Sequence, residues 1–379
     1  MKKRFLSVLT ALALCLTLLP TAALAAETAP SSVTLAGTEL KSGKSYIPKE
    51  GGGIKEKQDS PDTDYLNYKD GVLTVNGTVE VSGSAGLNFY DGTLTLAGDG
   101  DLTITASGIN NAVSGSPQST LTTAKGFSGS ITLRGENAPA VQNVKLDLTT
   151  EGDIQISSAK NSAVNTPDNP VKLAGRTVTI ETTAEPANSV STVTAPGLNV
   201  TAGGNVTITG NGGSFRRPLI AGDSGKECAV TLNAGGNVKI VNKNGTAVYG
   251  PLTVAKAVDV AISGNGNAPL LSSASGVHSI NASGTVQMKS SGSNGVVCFN
   301  DAANGLTITG AKKVDIAGAT STSVVTGMTL KNCGTASVTR LTNTDSTAPI
   351  ANTVTSDIPV LLYNGKTGNE PRLLWKNST

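Results

Sequence analysis

The stretch that decides the fold is LNVTAGGNVTITGNGG, residues Leu198 to Gly213. Apolar and polar residues alternate through it, with Leu198 and Val200 in one run and Val206 and Ile208 in the next. An alternation of period two predicts two β-strands that each bury one face. Two adjacent glycines between the runs permit a bend that a side chain would hinder. The stretch therefore predicts a strand, a bend and a second strand.

The same phrase returns as VTLNAGGNVKI at residues 230–240, and more loosely along most of the chain. Its second strand ends in an apolar residue that recurs at intervals of roughly 26 residues. These recurring residues are Val81, Ile104, Leu133, Ile156, Ile180, Ile208, Ile240, Ile262, Met288 and Ile316, with a weaker copy at Ser337 to Arg340. After each second strand, an apolar pair such as Ala247-Val248 marks a third, shorter strand.

Three strands per unit, joined by turns of variable length, predict an all-β fold: a right-handed parallel β-helix, or β-solenoid, of about eleven coils. A leucine-rich repeat is disfavoured because no unit carries a helical pattern, and a propeller needs longer, four-stranded blades. In the predicted register, Ile208 points inward between Ile180 and Ile240. Asn205 and Asn237 fall at matching bends, so we expect them to stack as an asparagine ladder.

The chain divides into four predicted parts. Residues 1–25 have a basic start, an apolar run and a small-residue ending at Ala25, which is typical of a secretory signal peptide. Residues 26–70 are rich in loop signals and are interpreted as an N-terminal cap or linker, because the first coil of a solenoid needs cover. Residues 71–353 form the predicted β-helix, and residues 354–379 are interpreted as a C-terminal cap strand. The protein is therefore expected to be secreted or on the cell surface.

Charge and hydropathy limit the partners. Residues 1–25 hold three of the 29 Lys and Arg and none of the 27 Asp and Glu, so the remainder is close to neutral. A neutral chain without basic clusters is a poor nucleic-acid binder. After residue 25 no apolar run is long enough for a membrane span. We expect a monomer that binds no nucleic acid and has no membrane span.

Few residues offer catalytic chemistry. His278 is the one histidine of the sequence and is interpreted as a surface residue of a repeat. Cys228, Cys298 and Cys333 show no metal-ligand spacing and are expected to be buried, unpaired thiols. Acidic residues such as those of Asp99-Gly100-Asp101 match no calcium loop and are interpreted as solvated turn carboxylates. No catalytic residue, metal site or cofactor is predicted.

Aromatic residues are sparse but recur at one place in the unit. Phe89-Tyr90, Tyr249 and Phe299 come at or just after a third strand. Because sugar rings stack on exposed aromatic faces, Tyr90, Tyr249 and Phe299 are the candidate glycan-binding residues. The competing interpretation is a hydrophobic filler at one corner of the solenoid.

The strand pairs Leu102-Thr103-Ile104 and Val206-Thr207-Ile208, and the opening Asp70 to Val75, are fold-level motifs. Together with the leader and the cap, they resemble secreted parallel β-helix repeat proteins of Gram-positive bacteria. That group belongs to the pectate-lyase-like superfamily, and the likeness is to its carbohydrate-binding, adhesin-like members. The resemblance implies a non-catalytic protein that binds a polysaccharide or a host or microbial surface glycan.

Two alternatives stay open at the sequence level. One is a polysaccharide lyase or glycoside hydrolase of the β-helix class. Asn343-Thr344-Asp345 spells one polygalacturonase-like motif, but its partner motifs are missing from the sequence. The other alternative is a structural spacer. The sequence favours binding without turnover and does not settle whether the protein is an enzyme.

Overall fold

The structure, a computed structural model, describes residues 28–58, 62–183, 190–211, 218–265, 270–274, 277–291, 297–298, 305–319, 323–341 and 350–364. The predicted signal peptide lies outside these ranges. The chain coils into an all-β parallel solenoid of about ten turns that matches a right-handed β-helix, close to the predicted eleven. Within the described residues, one three-residue 3₁₀ turn, Asp223–Gly225, is the only helical element. No helix there is long and apolar enough to cross a membrane.

Each coil has three strands, and each strand stacks on its counterpart in the next coil to form one of three parallel faces. We number the faces in chain order, so that Gly197–Ala202 lies in the first face, Val206–Gly210 in the second and Ile220–Ala221 in the third. Parallel stacking pairs the backbone of interior coils along the solenoid axis.

Within the part of the chain that the structure describes, the second face contains twelve strands. They are Thr78–Gly83, Asp101–Ala106, Ile131–Gly135, Ile154–Ser158, Val178–Thr182, Val206–Gly210, Val238–Asn242, Val260–Gly264, Thr285–Ser290, Lys313–Gly318, Thr335–Arg340 and Val360–Asn364. The recurring apolar residues predicted from Val81 to Ile316 align in a single column, which continues through Val338 to Leu362. The predicted three-strand coil and its register are therefore confirmed.

The first face also follows the repeat. Its strands are Val72–Asn76, Gly92–Gly98, Ser119–Thr123, Lys145–Thr149, Val171–Gly175, Gly197–Ala202, Ala229–Ala234, Leu252–Ala257, His278–Ala282, Leu306–Thr309, Val325–Lys331 and Ala351–Ser356. The third face has much shorter strands: Leu87–Phe89, Val113–Ser114, Val141–Gln142, Val164–Asn165, Val193–Thr194, Ile220–Ala221, Val248–Tyr249, Leu271–Ser272 and Val297–Cys298. The last two strands of the first face begin on the third face and cross the corner unbroken.

The core is a stack of like residues. Ile208 is fully buried and pairs with Ile180 in the coil before it and with Ile240 in the coil after it, as predicted. The glycine pairs between the first two strands have a steric reason. A Cβ on Gly235 would overlap the carbonyl oxygen of Gly203 in the preceding coil. Close stacking of backbones at this corner therefore requires glycine.

The segment before the coils is antiparallel. Its strands are Val33–Leu35, Thr38–Glu39, Lys44–Pro48, Ile54–Glu56 and Tyr65–Lys69. Tyr65–Lys69 pairs with the first strand of the solenoid, and Val33–Leu35 pairs with Leu87–Phe89 of the third face. Leu66 and Tyr46 are buried in the same core as the coils. At the other end, Val360–Asn364 pairs in parallel with Thr335–Arg340, so the coil pattern continues past residue 353.

A ladder of side-chain hydrogen bonds runs along the corner that leads into the second face. Asn205 Oδ1 accepts the N–H of Asn237 at 2.8 Å, and Asn237 Oδ1 accepts the N–H of Asp259 at 3.1 Å. The expected asparagine ladder is confirmed. It is longer than predicted, because Asp101 and Asp153 bond the next coil in the same way. We call Asp101, Asp153, Asn205, Asn237 and Asp259 the corner ladder.

Candidate binding groove

The third face presents one outward side chain per coil. Because its strands are mostly two residues long, the first residue points into the core and the second points out. Strand pairing aligns five successive outward residues in one line. We call this line the amide column: Asn88, Ser114, Gln142, Asn165 and Thr194.

Two pairs of neighbouring side chains in the amide column are hydrogen-bonded to each other. Ser114 Oγ donates a hydrogen bond to Asn88 Oδ1, and Asn165 Nδ2 donates one to Gln142 Oε1 at 3.3 Å. All five residues are half-buried. An amide has two donors and one acceptor oxygen with two lone pairs, so each keeps hydrogen-bonding capacity beyond these contacts. The column is an ordered, uncharged row of donors and acceptors.

The column opens into a groove at the next coil. There the outward position is Ala221, whose small side chain is buried and leaves space between Thr194 and Tyr249. The cavity measures about 950 Å³. Its lining also includes Asn161, Ser162, Asn165, Val190, Ser191 and the loop Gly222 to Gly225. We call it the Tyr249 groove.

One wall of the groove is formed by residues 222–225, which begin the connection of residues 222–228 to the first face. Within it, the Gly222 N–H bonds the Lys226 carbonyl at 3.0 Å, and the Lys226 N–H bonds the Asp223 carbonyl at 2.9 Å. The Glu227 carboxylate accepts the N–H of Ala274, two coils further on. Hydrogen bonds thus hold this segment in shape and attach it to a later coil of the solenoid.

The groove combines one aromatic ring with hydroxyl, amide and carboxylate groups. The Tyr249 ring is half-buried, and Asp223 is exposed and accepts a hydrogen bond from Ser224 Oγ at 3.0 Å. Such a mixture suits a polyhydroxylated ligand, because a sugar offers an apolar ring face and many hydroxyl groups. Sequence reasoning found Tyr249 but missed Asn165, Thr194 and Asp223, which lie in three different coils.

The structure separates the predicted aromatic residues. Phe89 is fully buried and fills the core, whereas Tyr90 beside it is 54% exposed. Tyr249 lies six coils from Tyr90, a separation of about 29 Å at the usual strand spacing. The two tyrosines therefore form no shared stacking site, but they lie near opposite ends of the amide column. Phe299 lies outside the described residues, as does Asn343-Thr344-Asp345.

The interpretation of His278 as a surface residue is wrong. The side chain is fully buried in the first face, in the column that holds Leu252 and Leu306. Its Nδ1 accepts the N–H of Leu252 at 3.2 Å. Burial lowers the imidazole pKa to about 4, although the nearby Glu227 carboxylate acts in the opposite direction. The period of two could have revealed this, since His278 is two residues before the inward Ile280.

The remaining reactive groups are structural. Cys228 and Cys333 are buried free thiols, as predicted, and burial raises the pKa of Cys228 to about 12. A thiol with that pKa is a poor nucleophile. The side chain of Cys298 lies outside the described residues. Across the described ranges, no three or more His, Cys, Asp or Glu side chains converge on a point that could hold a metal ion.

Comparison with known proteins adds no assignment. No protein-family model, curated protein or solved structure gives a match to this chain.

Proposed function

We propose that this protein is a secreted, non-catalytic carbohydrate-binding protein of the cell surface or its surroundings. The observation that carries the proposal is the Tyr249 groove, in which an aromatic ring stands beside amide, hydroxyl and carboxylate groups. Export rests on the leader at residues 1–25. The ligand is a polysaccharide or a glycan on a host or microbial surface.

The amide column supports binding to a polymer rather than to a single sugar. Each coil offers a few weak hydrogen bonds, and a ligand that contacts several coils adds them within one molecule. Pre-ordering by the Asn165–Gln142 bond reduces the entropy that these side chains lose on binding. We therefore expect the affinity for a polysaccharide to come from many weak hydrogen bonds repeated at successive coils.

The state of His278 supports binding without turnover. A general acid or base works best with a pKa near the operating pH and within reach of the substrate. The His278 imidazole is buried, has a pKa lowered to about 4 and already accepts a backbone hydrogen bond. The His278 imidazole is therefore badly placed to exchange a proton with a ligand on the outer surface.

The first test is glycan binding by the protein from residue 26 onward and by its Tyr249→Ala variant. We expect the wild-type protein to retain a subset of oligosaccharides on a glycan array. Loss of the stacking ring should weaken this binding about tenfold, or about 1.4 kcal/mol. Tyr363→Ala, on the second face, serves as the matched tyrosine control. Unchanged binding by Tyr249→Ala would exclude the groove.

The second test addresses the enzyme alternative. Pectin, polygalacturonate and alginate are incubated with the protein in the presence of calcium, and new reducing ends and unsaturated products are measured. We expect none. Steady product formation that disappears in Asp345→Ala would replace the binding proposal with a polysaccharide-degrading activity.

A further inference from the structure

We infer that the Tyr249 groove and the amide column bind one extended, uncharged polysaccharide chain that lies parallel to the solenoid axis, with successive sugars over successive coils. The inference rests on the proposed function and specifies its ligand class and binding direction.

The direction follows from the shape of the third face. Its strands are mostly two residues long, so a chain laid across the coils would meet one outward side chain and then leave the face at a corner. A chain laid along the axis meets Ser114, Gln142, Asn165 and Thr194 in turn. The axial direction is therefore the one in which several side chains of this face can bind the same polymer.

The spacing also agrees. Adjacent strands lie about 4.8 Å apart, so the column repeats its hydrogen-bonding groups at that interval. Pyranose rings in an extended β-1,4-linked chain advance by a similar interval. Each ring of such a chain is turned relative to the one before it, so one sugar per coil brings a ring to every coil in a changing orientation. The exposed Tyr90 and the half-buried Tyr249 lie toward opposite ends of such a chain.

Charge selects the class of sugar. The five column residues are uncharged, and among the described residues that line the groove Asp223 is the one charged side chain. A uronate or sulfated chain would place a second negative charge near the Asp223 carboxylate. None of the described lining or column residues is a lysine or arginine that could pair with that charge. Uncharged hexose, xylose or N-acetylhexosamine chains avoid this cost.

The test uses titration calorimetry of the protein from residue 26 onward. The ligands are oligomers of cellulose, xylan, mannan and chitin that increase in length from the disaccharide. For at least one series we expect affinity to rise up to about six sugars and then level off, because about six coils separate the two tyrosines. Polygalacturonate oligomers of equal length should bind more weakly.

Two variants test the direction. Gln142 lies four coils from Tyr249, so Gln142→Ala should weaken the hexasaccharide about threefold to tenfold and leave a disaccharide held at Tyr249 unaffected. Ser114→Ala should behave in the same way and is the second variant if Gln142→Ala alters the fold. Gln287→Ala, an exposed glutamine of the second face, is the matched control and should change neither ligand.

The outcomes separate the two proposals. Equal affinity for all lengths, or equal loss for short and long ligands in Gln142→Ala, overturns the axial direction, while Tyr249-dependent binding would keep the proposed function. A preference for polygalacturonate overturns the uncharged class. If no oligosaccharide binds, both proposals fail.

Discussion

Ile208 shows how strongly one position of a coil depends on its neighbours. Its side chain is fully buried between Ile180 and Ile240, whereas Thr207, one residue earlier, faces outward between Thr179 and Lys239. The two residues are adjacent in sequence and lie on opposite sides of the sheet. A new charge should therefore destabilise the fold strongly at Ile208 and only slightly at Thr207.

Ile208→Asp should reduce the free energy of unfolding by at least about 3 kcal/mol, because it buries an unpaired carboxylate. Thr207→Asp should cost under about 0.5 kcal/mol, since the new carboxylate is at the surface beside Lys239. Urea unfolding followed by circular dichroism measures both. Similar losses in the two variants would show that the register is wrong by one residue.

At the scale of an element, the corner ladder links coils through side chains as well as backbone. Asp153 is its most heavily bonded member: Oδ1 accepts the N–H and hydroxyl of Thr177, and the carboxylate pairs with Arg176 through two contacts of 3.0 and 2.5 Å. The Arg176 hydrogen bond, assisted by Thr177 and opposed by partial burial, lowers the pKa of Asp153 to about 2.

This pKa gives a pH dependence with a defined sign. A folded pKa of about 2, below the usual 3.8, means that Asp153 stabilises the fold above about pH 4 and that this contribution is lost as pH falls toward 2. Asp153→Asn keeps an acceptor oxygen but removes the charge. Its melting temperature should therefore fall less steeply between about pH 4 and pH 2 than that of the wild type.

Arg176→Gln is the companion variant, since it leaves the carboxylate and removes its partner. Its melting temperature should also fall less steeply between about pH 4 and pH 2. The double variant should differ little from either single variant, because both changes remove the same ion pair. Because the pair is largely exposed, each change should cost well under about 1 kcal/mol at pH 7. If the melting temperatures of both variants fall as steeply as that of the wild type between about pH 4 and pH 2, the Asp153–Arg176 pair does not contribute to stability.

At the scale of the whole molecule, the coils form a rod of roughly 50 Å, from twelve strands at the usual spacing. Each coil contacts mainly its neighbours, so stability is a sum of coil and interface terms. The antiparallel N-terminal strands pair with the first coil and share its core. Their removal would leave Leu73 and Val75 without the cover of Leu66 and Tyr68.

The far-ultraviolet circular dichroism of the protein from residue 26 onward should show a strand spectrum with almost no helical contribution. The reason is that strands make up nearly all the regular structure of the described residues. A substantial helical minimum would contradict the solenoid. Cooperative loss of the strand spectrum on heating would indicate that the coils unfold together.

The sequence by itself determined the solenoid and its second-face register. In a parallel stack each coil repeats its predecessor, so an apolar residue recurring from Val81 to Ile316 marks the same place in every coil. The alternation rule also predicts the burial of His278, two residues before Ile280, whereas its polar side chain alone suggests a surface position. Local periodicity is enough to predict this register because each strand pairs with the equivalent strand of the next coil.

Only the tertiary structure decided the groove. Tyr249, Asp223 and Thr194 belong to different coils, and their meeting depends on where each turn bends and on the course of residues 222–228. Such turns vary in length from coil to coil and follow no period. The outward residue of a two-residue strand can be identified only once its corner is known. Ala221 becomes a gap solely because larger side chains stack on both sides of it. The alternation of residues in the sequence predicts which side chains are buried. The groove cannot be predicted in this way, because irregular turns from different coils come together only in the folded chain.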